Sequence, residues 1–295
     1  MTIPASQVNL RGIHVATVTP MSVDGSEINL GCIGPLTAHL ASRGVDGFVP
    51  LGTTGEFPSL SFQEKVEILS EYASVRGDRA LIPGCGSCSL RETLDLVRLS
   101  AQKGATAVLV PPPFYFRSAS PSGIEAWFEA VLAAAEIPVL LYHVPALTGI
   151  PIEFSMLERL ARFETLWGIK DTGGKLQETS RYLASRPGRI LLGSDSTMLD
   201  GLTLGVQGTI SACANVVPGL LKEIVTDFRR GTDARPAQSR LAAVREALRK
   251  FPLHAALKRW LTVQGIEAGS VRPPLLNLSP TEADEISHIA RGLDH

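Results

Sequence analysis

Short runs of apolar and β-branched residues recur along the chain. Between them lie segments whose apolar positions fall three and four apart. The runs are Ile13–Thr19, Gly47–Leu51, Ala80–Pro83, Ala107–Val110, Val139–Tyr142, Thr165–Lys170, Arg189–Gly193 and Gly208–Ala212. Several, such as Val139-Leu140-Leu141-Tyr142, are continuously apolar rather than alternating. Strands covered on both faces read this way, as in parallel sheets. Among the intervening segments, Ser61–Arg76 carries Phe62, Val66, Leu69 and Ala73 behind a Ser61-x-x-Glu64 capping signal. Ser89–Gln102 carries Leu90, Leu94, Val97 and Ala101 and opens on Ser89-x-x-Glu92, again a capping box. Gly44 and Gly104 follow expected helix ends, as C-terminal caps do. Strand–helix alternation repeated eight times predicts an α/β chain, a closed (β/α)8 TIM barrel. A doubly wound sheet has fewer strands as a rule, and no Gly-x-Gly-x-x-Gly follows the first run.

The eighth strand is expected to end near residue 213 and its helix near Arg230. Thr232 to Pro236 is polar and turn-rich, which marks a boundary. The reading is a catalytic barrel over residues 1–230 and a C-terminal helical extension over 231–295. Ala237–Lys250, Leu253–Gln264 and Pro280–Gly292 read as its helices. Such an extension either caps the barrel or makes subunit contacts, and both readings stand.

Composition narrows the function classes. The chain has 295 residues, 44% of them hydrophobic and 19% charged, with 28 basic against 29 acidic side chains and a net charge of −1. It is too apolar to be disordered. Its charge is too balanced to advertise nucleic acid or an anionic membrane as partner. Met1 to Gly12 has no apolar signal-peptide core, and no stretch reaches the ~20 apolar residues of a membrane span, so a cytoplasmic location is expected. Four cysteines do not make a disulfide framework, and Cys85-x-x-Cys88 sits among the small residues of a turn with reduced thiols. No histidine or carboxylate spacing resembles a metal site, so no metal is expected.

In a barrel of this kind, chemistry sits where strands end at their C-terminal side. Lys170 ends the sixth run and is one of only seven lysines against 21 arginines. An amine there loses hydration, which favours its neutral form and lets it attack a carbonyl as a Schiff-base nucleophile. A structural ion pair with Asp171 or another carboxylate is the competing reading. After the second run, Gly52-Thr53-Thr54-Gly55-Glu56 offers adjacent N–H groups and two hydroxyls, which suit a carboxylate. A plain βα turn is the alternative. Tyr142 leaves the fifth strand beside the sixth, where its phenol can relay protons or serve as an ordinary buried tyrosine. His143 should face the opposite side of its strand and pack behind the barrel. His14 reads as a core or wall residue.

Gly52-Thr53-Thr54-Gly55-Glu56, Tyr142-x-Val144-Pro145 and Gly168-x-Lys170-Asp171 stand in one order on strands two, five and six. Together they resemble the dihydrodipicolinate synthase / N-acetylneuraminate lyase family of pyruvate-dependent class I lyases, over residues 10–290. The resemblance implies that Lys170 is the Schiff-base lysine and Tyr142 the proton-shuttling tyrosine. It implies that Thr53 and Thr54 contact the relay and the substrate carboxylate. Gly52 belongs to the same substrate-binding loop. Tyr115 looks like the tyrosine that a neighbouring subunit inserts to complete a Thr–Tyr–Tyr relay. Ile210 matches a residue whose carbonyl faces the site, and Glu56 ties the loop together. No cofactor is implied beyond the covalent imine, and a homotetramer built as a dimer of dimers is the family-based expectation.

One departure narrows the subclass. Authentic dihydrodipicolinate synthases usually carry an arginine two positions after the Tyr-x-Val-Pro proline; Leu147 stands there in this chain. The Ala146-Leu147-Thr148-Gly149 stretch looks more like the sialate lyase and 2-keto-3-deoxy sugar acid aldolase branches. The expected function is a class I lyase or aldolase acting on pyruvate or a 2-oxo acid, cleaving or forming a 2-keto-3-deoxy sugar acid or 4-hydroxy-2-oxo acid. Leu147 and the loop near Gly173-Gly174 would shape its distal pocket. The alternatives are a dehydratase using the same imine, dihydrodipicolinate synthase itself (4-hydroxy-tetrahydrodipicolinate synthase), and a non-catalytic 2-oxo-acid-binding relative.

Overall fold

The structure is a computed structural model that describes residues 2–185 and 189–293. Each of the eight apolar runs contains or overlaps a strand: β1 (Gly12–Val15), β2 (Gly47–Phe48), β3 (Ala80–Leu81), β4 (Val108–Val110), β5 (Val139–His143), β6 (Leu166–Asp171), β7 (Ile190–Leu192) and β8 (Gly208–Ser211). All pairings between them are parallel, in the order β3-β2-β1-β8-β7-β6-β5-β4. The two end strands meet just beyond β3. Leu109 N–H donates to the Pro83 carbonyl at 3.0 Å, and Cys85 N–H donates to the Leu109 carbonyl at 2.9 Å. These bonds close the sheet into the (β/α)8 barrel with a ring of helices outside.

Two apolar cores follow from that closure. The larger lies between strands and helices. The smaller fills the barrel itself and includes Val49, Ile82, Leu109, Leu140, Trp167, Leu191 and Ile210. Its floor is sealed by the N-terminal segment. Trp167 Nε1 donates to the Val8 carbonyl at 3.0 Å, Arg189 Nη1 to the Ala5 carbonyl at 2.8 Å, and the His14 ring bonds the Leu10 carbonyl at 2.9 Å. Burial holds the His14 imidazole below its ordinary pKa, as a core histidine requires. The opposite, C-terminal mouth is open.

The helices start where their capping residues stand. Phe62–Val75 opens on Ser61 with both halves of the capping box made. Leu90–Gln102 makes only one half. Ser89 accepts from Glu92 N–H, but the Glu92 carboxylate turns to Lys65 at 2.7 Å and Ser87 at 2.9 Å. A buried cation outbids a backbone N–H for that carboxylate. The Cys85–Cys88 turn is structural: Cys85 is buried, all four thiols are free, and burial pushes the Cys85 thiol up to about 12. No described helix is long and apolar enough to cross a membrane.

The C-terminal segment forms helices Arg235–Leu248, Leu253–Val263 and Pro280–Leu293. Leu241, Val244, Leu248, Leu257 and Trp260 belong to the same continuous core as the barrel's outer face. Of the two roles open to this extension, the structure shows capping. Gln238 on the first of these helices donates to the Asp195 carbonyl at 3.0 Å and accepts from Leu199 N–H at 2.9 Å, clamping the loop that follows β7.

One irregularity sets the orientation of β6. The β5–β6 register runs Val139 to Leu166, then Leu140 to Gly168, so Trp167 is an extra residue, a β-bulge. Trp167 therefore faces the barrel interior, Ile169 the helices, and Lys170 the interior again. The bulge brings Gly168 against β7, where an added Cβ would lie 1.9 Å from the Arg189 carbonyl oxygen. Gly168→Ala is expected to cost about 3 kcal/mol or more, because the obstacle is backbone. Gly219→Ala, on a helix with open space around it, is the control, expected to be neutral or stabilising by ~0.5–1 kcal/mol. Thermal unfolding of both variants at one protein concentration checks the pair.

Candidate active site

Lys170 and Tyr142 are register partners on β6 and β5. Parallel neighbours in register point their side chains the same way, here into the mouth of the barrel. The Lys170 Nζ lies over the Tyr142 ring, 4.1 Å from its centroid. Lys170 is 6% exposed, and among the described residues it forms no ion pair. Its sequence neighbour Asp171 points to the other face. That carboxylate accepts from Thr179 Oγ1 at 2.6 Å and Gly173 N–H at 2.8 Å. The Lys170–Asp171 ion pair that the sequence left open is thus absent, because adjacent strand residues alternate.

The loop after β2 supplies the second wall. Leu51 adopts a left-handed backbone, φ 60°, and its carbonyl sits where a Cβ on Gly84 would be, 2.1 Å away. Such a conformation costs on the order of 1–3 kcal/mol, and it throws the following residues over the barrel mouth. The turn then closes on itself: Gly55 N–H donates to the Gly52 carbonyl at 3.1 Å and Glu56 N–H to the Thr53 carbonyl at 3.0 Å. The Thr53 and Thr54 N–H groups take no part in any hydrogen bond among the described residues. They remain as donors beside two hydroxyls. Thr53 Oγ1 lies 3.4 Å from the Tyr142 hydroxyl. Gly52 does not line the cavity; it serves through the carbonyl that closes the turn. Gly55 is the tighter glycine, with Thr17 and Leu51 backbone atoms 3.1–3.2 Å from its Cβ position.

Burial alone would push the Tyr142 phenol up, but the charge of Lys170 and the hydrogen bond with Thr53 outweigh it. The phenol therefore sits below its ordinary pKa.

Thr53, Thr54, Tyr142, Lys170, Leu147 and Ile210 all line one cavity of about 310 Å³. Leu147 is half-exposed on the short helix Pro145–Thr148 after β5. Tyr115 does not join them. It stands on the β4 loop, 77% exposed, with its ring edge-on to an exposed Phe116. A second, apolar cavity of about 210 Å³ adjoins the first, walled by Phe57, Pro58, Pro111 and Phe114 and sharing Thr53, Tyr142, Val144 and Leu147. His143 lies behind the site, as its strand position predicts. Its Nδ1 accepts from Ile152 N–H at 3.1 Å, and burial holds it below its ordinary pKa despite nearby Asp171.

Several lining residues were not singled out from sequence. Ser194, Asp195 and Ser196 come from the β7 loop, and Arg245, Arg249 and Leu253 from the C-terminal extension. The β7 residues had a signal, since they follow a strand end. The arginines had none, because the extension returns to the mouth only in three dimensions. The extension also holds the Thr53–Thr54 loop. The His254 ring bonds the Thr53 carbonyl at 3.0 Å, and Lys258 Nζ meets Glu56 at 2.7 Å with both groups fully buried. Glu56, in a left-handed turn at φ 58°, also accepts from Arg272 N–H at 3.1 Å. Desolvation pulls the Lys258 ammonium below its ordinary pKa, against the pull of Glu56.

The family model described as the dihydrodipicolinate synthetase family matches residues 9–292. An uncharacterised DapA-like lyase from Chloroflexus aurantiacus is 34% identical, covering 92% of this chain and 93% of its own. A 4-hydroxy-tetrahydrodipicolinate synthase from Listeria welshimeri is 33% identical over 97% of this chain and 99% of its own. Among solved structures, YagE from E. coli K12, a member of the dihydrodipicolinic acid synthase family in complex with pyruvate, superposes with a TM-score of 0.91 at 26% identity, covering 96% of this chain and 98% of that one.

The buried pair makes a direct prediction. Lys258→Met leaves the Glu56 carboxylate charged and buried, at an expected cost of about 3–5 kcal/mol. The double variant Lys258→Met/Glu56→Leu removes both charges and should recover most of that loss. Thermal unfolding at fixed concentration reads both; equal losses would show that the pair does not hold the loop.

Proposed function

We propose that this chain, which belongs to the dihydrodipicolinate synthetase family and is an enzyme of the class I aldolase type, cleaves or forms a 2-keto-3-deoxy sugar acid or 4-hydroxy-2-oxo acid through an imine on Lys170. The observation that carries this reading is the amine of Lys170 over the Tyr142 ring, facing a loop with unspent N–H donors. Thr53 and Thr54 hold the substrate carboxylate. The Lys170 amine attacks the ketone carbon, water leaves, and a protonated imine forms. In the cleavage direction the hydroxyl on C4 gives up its proton, the C3–C4 bond breaks, and its electron pair enters the imine as an enamine. The aldehyde departs. The enamine takes a proton at C3, and hydrolysis frees pyruvate and the lysine. Tyr142, hydrogen-bonded to Thr53, carries these protons. No step is assigned to a metal or organic cofactor.

Tyr115 fits this scheme as a group donated to a second copy. The apolar cavity beside Tyr142 and Thr53 has the size and lining for an aromatic side chain, and on its own subunit the exposed Tyr115 ring meets only the exposed ring of Phe116 among the described aromatic contacts. The proposed assembly is a homotetramer, a dimer of dimers. Cytoplasmic action is part of the same proposal, argued from four unpaired cysteines. Leu147 in place of a carboxylate-gripping arginine argues against the lysine-pathway synthase.

Turnover of candidate 2-keto-3-deoxy acids tests the reading. The wild type should release free pyruvate, Lys170→Ala should release none, and Tyr142→Phe should lose about 10²–10⁴ in rate. A product that keeps all its carbons overturns the aldolase in favour of the dehydratase. Activity that survives Lys170→Ala overturns the imine.

Subunit exchange tests the role of Tyr115. Tyr115→Phe and Lys170→Ala proteins, each impaired alone, should recover activity when mixed through unfolding and refolding, because hybrid sites then hold both groups. No recovery in verified hybrids would contradict a shared site.

A further inference from the structure

The charges on the cavity wall differ from those of the chain. The whole sequence is close to neutral at −1. The wall of the catalytic cavity carries Lys170, Arg245 and Arg249 against the single carboxylate of Asp195. That is three cations to one anion. A 2-oxo acid with one carboxylate neutralises half of this excess, and the carboxylate is already met by the Thr53–Thr54 loop. The protonated imine formed on the lysine carries one positive charge. One positive charge then remains, and it belongs to the extension helix rather than to the barrel.

Arg245 is the better placed of the two arginines. It is half-buried, and its guanidinium forms no hydrogen bond or ion pair among the described residues. Arg249, one turn on, is more exposed and reaches Glu246 at 3.1 Å. The helix that bears them is clamped to the β7 loop by Gln238, so the guanidinium of Arg245 is carried on a fixed element. A half-buried cation without a partner is costly to leave unpaired. The simpler reading is that two arginines near the end of Arg235–Leu248 answer the negative end of the helix. That reading accounts for their position along the helix. It does not account for both lining the cavity, nor for Arg245 lacking any acceptor.

We infer that the substrate carries a second anionic group at its far end, a carboxylate or a phosphate ester, which Arg245 binds with Arg249 in support. This inference rests on the imine reading of Lys170 and adds the substrate class to it. Asp195, buried with one oxygen unpartnered, lies on the same wall with Ser194 and Ser196. It fits the hydroxyls of the chain between the two anionic ends. The charge that Leu147 does not provide on the β5 side is thus supplied from the C-terminal extension.

Borohydride trapping of the imine provides a readout independent of turnover. The half-saturating concentration is measured for 2-oxoadipate and for 2-oxohexanoate, chains of equal length with and without a terminal carboxylate. The same is done for 2-keto-3-deoxy-6-phosphogluconate and 2-keto-3-deoxygluconate. In the wild type at least one anionic partner should trap about tenfold or more lower in concentration than its uncharged counterpart. Which pair shows the larger ratio separates carboxylate from phosphate. Arg245→Leu should collapse that ratio to near one, whereas Arg91→Leu, an exposed arginine that is not part of the cavity wall, should keep it. Equal half-saturation within both pairs, or a ratio that survives Arg245→Leu/Arg249→Leu, would overturn the inference. Failure to trap pyruvate itself would instead overturn the imine reading beneath it.

Discussion

An amine can serve at the mouth of a barrel only if its strand turns it inward. On β6 that orientation depends on one extra residue. Strict alternation would put Trp167 and Lys170 on opposite faces, since they are three apart. The bulge at Trp167 lets both face the interior. Trp167 plugs the floor through its bond to Val8, and Lys170 sits over Tyr142 at the top. Asp171, Ile169 and Leu166 fall on the helix side, where they pack or bond to Thr179. The same half-turn of parity separates Tyr142 from His143 on β5. Everything proposed for the site follows from this arrangement of faces.

The second constraint is the extension. It contributes more than cover. Lys258, fully buried, neutralises Glu56 at the end of the strained turn that presents Thr53 and Thr54. His254 bonds the Thr53 carbonyl, and Gln238 holds the β7 loop. Burying an ion pair gives little net stability, because desolvation offsets most of the attraction. Its value here is geometric: the loop with unspent N–H donors is fixed before substrate arrives. That saves reorganisation at the moment of reaction. The extension therefore builds one wall of the cavity and braces another.

Much of this was legible in the sequence. Eight short apolar and β-branched runs, several of them continuously apolar, announced parallel strands, and Ser61 with Glu64 marked a helix start that the structure reproduces. Local patterns of this kind depend only on neighbours within a turn or a strand. The residues that failed to show depend on distant ones. Glu92 abandons its capping box because Lys65, on another helix, captures it. The bulge at Trp167 is a matter of pairing with β5 and leaves no mark in the alternation of β6. Arg245 and Arg249 reach the cavity because the chain folds back after the barrel is complete. Tyr115 was read through resemblance, and the single chain places it away from its own site, in solvent.

The central claim is a covalent one: this cavity converts a 2-oxo acid into an imine on one particular lysine. Reduction with borohydride in the presence of pyruvate, followed by peptide mass mapping, tests it most directly. The account predicts one pyruvyl-derived adduct per chain, located on Lys170. No adduct, or one on Lys175, Lys258 or any other lysine, would contradict it.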